Sequence, residues 1–192
     1  MTEFLDTYRE LFLILHVFFV VLGMGAALVV DLLFNYYIHD RKLSEDENKT
    51  LNFLTKVIWI SLSLITASGL FIFLTDSERY LASSKFLLKM CIVLVIAING
   101  FLFYKITHKS LRDIEFTDRD GSHPLVRMRR LSFAFGAISF ISWLSVFLLG
   151  SLRSIPISLS QGLLIYFGLL CFGILGSQLV EHYLTRPQAS RF

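Results

Sequence analysis

The chain has 192 residues, of which 55% are hydrophobic and 17% are charged, with a formal net charge of +3. Soluble domains carry roughly 25% charged residues, so this composition argues against an ordinary soluble enzyme and indicates a membrane protein. The basic residues lie mainly in short connections and the aromatic residues in apolar segments, so no nucleic-acid-binding surface is predicted.

Five apolar segments are long enough to cross a bilayer, which requires about 20 residues in a helix. They cover approximately residues 11–39, 51–75, 85–107, 131–152 and 157–184, and we call them spans 1 to 5. We therefore predict one all-α domain over residues 1–192, an integral membrane bundle of five transmembrane helices. The connection from Lys109 to Arg130 contains Gly121 and Pro124, and it is predicted to be a solvated loop.

The distribution of lysine and arginine predicts how the bundle is oriented. Most of these residues lie after span 1, between spans 3 and 4, and after span 5, which are alternate connections. Because basic residues favour the cytoplasmic side, the N-terminus is predicted to lie outside and the C-terminus in the cytoplasm. This orientation requires an odd number of spans, in agreement with five.

Span 1 carries two polar side chains that are costly in lipid, His16 and Asp31. Placing either side chain in lipid costs about 2.5 kcal/mol or more unless it faces other helices, water or a cofactor. Each is therefore a candidate functional residue. On a helix, Gly23 and Ala27 each lie about 20° from His16, and Asp31 lies about 60° away. One face of span 1 thus places small residues below a histidine, which suits a flat group or a closely packed helix.

Span 3 presents a similar face, with Lys89 at about the same depth as His16. Lys85 lies about 40° and Gly100 about 20° from Lys89 around the helix. Imidazole and an uncharged amine are both possible axial ligands of haem iron, and an apolar slot at Gly23, Ala27 and Gly100 would admit the ring. Alternatively, Lys89 extends to the headgroups and His16 bonds to a neighbouring helix.

A second set of polar residues is predicted at the cytoplasmic ends of the spans. Three histidines lie there, His39, His108 and His182. They are boundary residues or, as an alternative, the ligands of a bis-histidine haem site. Asp31 and Asn99 lie in the inner half and are predicted to hydrogen-bond across spans 1 and 3, as an interhelical contact rather than a proton path.

Span 5 contains a small-xxx-small step from Gly173 to Ser177. Such a step lets two backbones approach closely. It could pack within the bundle or against a second copy in a homodimer, and both possibilities stay open.

Short motifs in spans 1 to 3 resemble those of a known group of membrane proteins. They are His16 followed by Gly23-Met24-Gly25, the end of span 1 at residues 34–39, the opening of span 3 at residues 85–90, and Asn99-Gly100. This pattern resembles the small bacterial membrane proteins related to the HemJ-type protoporphyrinogen oxidases and the copper-resistance D (CopD-like) family.

The resemblance implies a bacterial inner-membrane protein that holds haem b through a histidine of the first helix and a lysine of the third. These positions correspond to His16 and Lys89, with Lys85 as the competing lysine. The oxidase branch also carries a basic residue late in the first helix and a tryptophan within it, whereas this chain has Asp31 and no tryptophan there. An oxidoreductase activity resembling protoporphyrinogen oxidation is therefore less well implied than haem binding.

The sequence thus predicts a haem b protein that acts in electron transfer or membrane redox chemistry, with an unidentified redox partner or quinone. The alternative is a cofactor-free membrane protein, either a small transporter or a structural subunit of a larger complex. Copper handling is not favoured, because the methionines and cysteines do not cluster: Met24, Met90, Cys91 and Cys171.

Overall fold

The computed structural model describes residues 7–37, 44–116, 123–152 and 156–185. These residues form helices and no strands. The helices are α1 (Arg9–Tyr37), α2 (Glu45–Thr75), α3 (Ser77–Leu81), α4 (Ser84–Phe116), α5 (His123–Ser151) and α6 (Leu159–Thr185). The predicted all-α fold is confirmed.

Five of these helices are long and apolar enough to cross a membrane, as predicted. The apolar stretches are Arg9–Leu33 in α1, Glu45–Thr75 in α2, Ser84–Ile106 in α4, Arg130–Ser151 in α5 and Leu159–Tyr183 in α6. Spans 1 to 5 therefore correspond to α1, α2, α4, α5 and α6, while the five-residue α3 joins α2 to α4.

Three helix ends differ from the sequence prediction because helices continue beyond their apolar part. α2 begins at Glu45, where Ser44 and Glu47 form a capping box: the Ser44 N–H donates to Glu47 at 2.7 Å, and the Glu47 N–H donates to Ser44 at 3.3 Å. The predicted loop from 109 to 130 is wrong over most of its length, since α4 continues to Phe116 and α5 begins at His123. Pro124 does not prevent this, because proline is tolerated in the first turn of a helix.

The tightest helix pair is α1 with α2, which run antiparallel. Phe12 of α1 stacks on Phe71 of α2 with ring centroids 4.6 Å apart. Further along α1, Gly23 lies against Ser61 of α2. On the other side of the bundle α4 packs on α5, and α5 on α6, while α1 also packs against α5. The helix beside α1, apart from α2, is therefore α5 rather than α4.

The core lies where the helices converge, and it is built from large apolar side chains with a few polar ones. Ile92 of α4, Trp143 of α5 and Tyr166 of α6 are almost fully buried. Large apolar residues on α6, such as Phe172 and Leu179, are instead more than 70% exposed on the outer surface. An apolar exterior around a partly polar core is the arrangement expected of a helix bundle in lipid.

Gly173 illustrates how this packing uses small residues. A side chain at Gly173 would collide with Ile141 of α5, so this glycine serves the contact between α6 and α5 within one chain. By contrast, Gly168 and Gly176 have no atom within 4 Å of a built Cβ.

Candidate functional site

His16 is held by α2 through its Nδ1 atom. Nδ1 lies 3.1 Å from the carbonyl oxygen of Ile65 and 3.0 Å from Oγ of Ser68. A carbonyl oxygen can only accept, so Nδ1 carries the ring hydrogen. The hydroxyl of Ser68 already donates to the carbonyl of Leu64 at 2.7 Å, so it too can accept from His16. Nε2 is therefore the nitrogen with the free lone pair, and it has no hydrogen-bond partner among the described residues.

Gly69 allows the imidazole ring of His16 to pack closely against α2. A Cβ on Gly69 would lie 3.3 Å from Cε1 and 3.6 Å from Nδ1 of His16. The sequence gives no sign that Ser68 and Gly69 of α2 contact His16. Their relation to His16 depends on the antiparallel register of α1 and α2, which the sequence pattern alone does not reveal.

Lys89 lies near the start of α4, at the same end of the bundle as His16. The side chain is half-buried and lies within electrostatic range of both His16 and Lys85. It has no hydrogen bond or ion pair with any residue in the described ranges. The structure thus places the two predicted ligand residues at the same end of the bundle, and the Lys89 amine has no partner among the described residues.

Lys85, the competing position, is used differently. Its Nζ donates to the carbonyl oxygen of Leu152, just beyond the end of α5. Carbonyl groups at a helix C-terminus carry partial negative charge and are stabilised by cations. Lys85 therefore ties the start of α4 to the end of α5.

The small residues predicted to open a slot are in contact with bulky groups. A Cβ on Gly23 would lie 2.9 Å from Cη2 of Trp143, and one on Gly100 would lie 3.8 Å from Cζ2 of Trp59. Ala27 is 4% exposed and belongs to the core cluster. Histidine and lysine are both residue types that can ligate haem iron, whereas the space beside Gly23 is occupied by an indole ring in this structure.

The polar residues toward the other end of the bundle make contacts with α5. Asn99 Nδ2 donates to the carbonyl of Phe135 at 3.2 Å, and the Asp31 carboxyl lies beside Gly136. The predicted pairing of Asp31 with Asn99 is thus replaced by separate contacts of each with the same turn of α5.

The histidines of the alternative site are described only in part. His39 lies outside the described residues, and so does the side chain of His108. His182 is exposed, and its neighbour Glu181 is 2% exposed and lies 3.4 Å from Nε of Arg130. In the portions of the chain that the structure covers, no three histidine, cysteine, aspartate or glutamate residues group as a metal site.

Comparisons of this chain with protein-family models, with curated proteins and with solved structures found no significant match.

Proposed function

We propose that this protein binds haem b within the membrane through His16 and Lys89 and acts in electron transfer or membrane redox chemistry. The observation that carries the proposal is the hydrogen bond from His16 Nδ1 to the carbonyl of Ile65. Histidines that ligate metals almost always donate their other ring N–H to a carbonyl, a carboxylate or water, which fixes the tautomer and makes the ligand more basic. His16 makes such a hydrogen bond through Nδ1, and its Nε2 atom is available to bind iron.

Lys89 supports the proposal as the second ligand. An amine binds iron only when it is uncharged, and Lys89 has no carboxylate partner among the described residues that would hold it in the charged form. When bound, haem iron would supply one-electron transfer at a potential set by its axial ligands and by the polarity of its surroundings. The residues of the chain would hold and orient the ring: α2 fixes the imidazole, and the apolar core excludes water.

The packing at Gly23 limits where the ring could lie. Trp143 and Ser61 already contact this glycine, so we assign Gly23 to helix packing and place the haem at the depth of His16 and Lys89. Gly100 and Ala27 belong to the same packed region rather than to the ligand set.

The resemblance to the HemJ-type and CopD-like proteins supports the same proposal, together with a location in the bacterial inner membrane with the N-terminus outside. The redox partner would be a quinone or a protein in that membrane. A homodimer would use faces of α6 other than Gly173, which contacts α5. We do not extend the proposal to protoporphyrinogen oxidation, because Asp31 stands where that branch carries a basic residue.

The second candidate is a cofactor-free membrane protein, a small transporter or a structural subunit. It is favoured by the indoles of Trp143 and Trp59 against the glycines of the predicted slot. In that case the bond between His16 and Ile65 simply joins α1 to α2.

Visible spectra of the oxidised and dithionite-reduced protein separate the two candidates. The full chain would be expressed with a haem precursor and purified as wild type, His16→Ala, Lys89→Ala and Lys85→Ala. We expect a Soret band and sharp reduced α and β bands in the wild type, their loss in His16→Ala, and their loss or shift in Lys89→Ala.

Lys85→Ala is the matched control, one turn away on the same helix, and it should keep the wild-type spectrum. Bands that disappear only in His182→Ala or in variants of His39 and His108 would move the site to the other end of the bundle. A colourless wild-type protein would overturn the haem proposal in favour of the cofactor-free alternative.

A further inference from the structure

Two acceptor oxygens in the half of the bundle away from His16 are buried without a hydrogen-bond partner among the described residues. They are Oδ2 of Asp31 on α1 and Oδ1 of Asn99 on α4. Buried polar atoms in proteins are nearly always hydrogen-bonded, so each exception requires an explanation. A carboxylate oxygen and an amide oxygen can only accept hydrogen bonds, so each of these atoms lacks a donor.

Both side chains converge on one turn of α5. Asn99 Nδ2 donates to the carbonyl of Phe135 at 3.2 Å. A Cβ on the next residue, Gly136, would lie 3.7 Å from Oδ1 and from Cγ of Asp31, and the Ser139 hydroxyl lies near the same carboxyl. The missing side chain at Gly136 thus leaves room on α5 for the acid.

No basic side chain in the described parts of the neighbouring helices neutralises Asp31. Lys56 of α2 is exposed, and Arg130 of α5 lies 3.4 Å from the carboxylate of Glu181. Lys105 of α4 lies 4.7 Å from the centre of an aromatic ring of its own helix. A carboxylate that is buried in apolar surroundings without a cation takes up a proton rather than remain charged.

We propose that Asp31 is a proton-binding site inside the membrane, whose carboxyl group holds its proton at neutral pH. A proton on Oδ2 removes the charge and turns this atom from an acceptor into a donor. It thereby removes a charge that no basic side chain in the described residues neutralises, at a turn of α5 that also carries Ser139 and contacts Asn99. Hard metal cations take about six or more oxygen ligands, more than these three residues offer. The inference is independent of haem binding.

Infrared spectroscopy of the full-length protein in lipid nanodiscs tests the proposal directly. A protonated carboxyl group has a C=O stretching band well separated from those of a carboxylate. Labelling aspartate with ¹³C at its side-chain carboxyl shifts the bands of aspartate but not those of glutamate. Asp46 and Asp76, the other aspartates whose side chains the structure describes, are exposed. We expect the wild type at pH 7 to show a protonated-aspartate band that moves with the label.

Asp31→Asn should abolish that band, and Glu181→Gln, which changes the other buried carboxyl, should leave it in place. Asn99→Leu should not abolish the band, because Asp31 stays buried against Gly136 of α5. The label assigns the band in the wild type itself, so the test does not depend on the folding of a variant.

Absence of a label-sensitive band from the wild type at pH 7 would overturn the proposal, as would a band that persists in folded Asp31→Asn. A band that appears only when sodium is replaced by a large organic cation would also overturn it, and would identify a sodium site instead.

Discussion

Trp143 of α5 and Gly23 of α1 are in direct contact: a Cβ built on this glycine would stand 2.9 Å from Cη2 of the indole and 3.1 Å from Cβ of Ser61. Three helices thus meet around a residue that has no side chain. The tryptophan is 3% exposed, so it has little room to retreat. Gly23 is therefore the point at which the packing of α1, α2 and α5 is most sensitive to added volume.

Gly23→Ala should destabilise the protein although alanine is the better helix former. The added methyl group forces the indole or α2 to shift, and overpacking of this kind typically costs about 1–3 kcal/mol. Thermal unfolding in detergent, followed by circular dichroism, measures the effect. Gly25→Ala is the matched control, since a Cβ there meets nothing within 4 Å. Its stability should be unchanged or slightly raised, and equal effects of the two variants would contradict the packing.

A smaller ring at position 143 should relieve the clash created at position 23. Trp143→Phe alone should destabilise the protein, because it leaves a void beside Gly23. When it is combined with Gly23→Ala, the methyl group should occupy part of that void, so that the double variant loses less stability than the sum of the single variants. Additive losses would mean that the two positions do not contact each other.

The fold was predictable from hydropathy because each span must satisfy its own backbone hydrogen bonds in lipid. The exact helix ends were not, since a helix such as α4 continues past its apolar part to Phe116. The helical net correctly placed Gly23 and Ala27 on an inward face with His16, as their contacts and burial now show. It could not show that Trp143 fills that face, because the choice of neighbouring helix depends on three-dimensional packing.

The candidate site was likewise predictable only in part. The depths of His16 and Lys89 follow from counting residues along two helices that run in the same direction, and the structure does bring these side chains to one end of the bundle. The support that His16 receives from Ile65 and Ser68 depends on the register between α1 and α2. A single sequence contains no signal for that register, so this hydrogen bond could not be predicted.

Ser142 and Tyr166 join α5 to α6 in the core, and the two sides of this bond should respond unequally to mutation. The Ser142 hydroxyl donates to the carbonyl of Ile138 at 2.6 Å, so Tyr166 is the donor in the 2.8 Å contact between them. Tyr166→Phe removes that donor and should cost about 1 kcal/mol. Ser142→Ala leaves a buried phenol without an acceptor and should cost more, about 1–3 kcal/mol.

The double variant decides whether this contact operates as a pair. With both polar groups removed, no donor is left unsatisfied, so Ser142→Ala combined with Tyr166→Phe should be more stable than Ser142→Ala alone. The same thermal unfolding assay measures all three variants. A double variant less stable than both single variants would show that the phenol finds another partner in Ser142→Ala.

The final prediction concerns the orientation of the bundle. If all five helices cross, the start of α1 and the end of α6 lie on opposite sides of the membrane, and the excess of basic residues after spans 1, 3 and 5 predicts that the C-terminus is in the cytoplasm. Green fluorescent protein fused to the C-terminus should fluoresce, because it folds in the cytoplasm, whereas alkaline phosphatase fused there should be inactive. Fusions placed before α1 should give the opposite pair of results. Matching results at both ends would mean that one of the five helices does not cross, and a full reversal would contradict the orientation while leaving the five crossings intact.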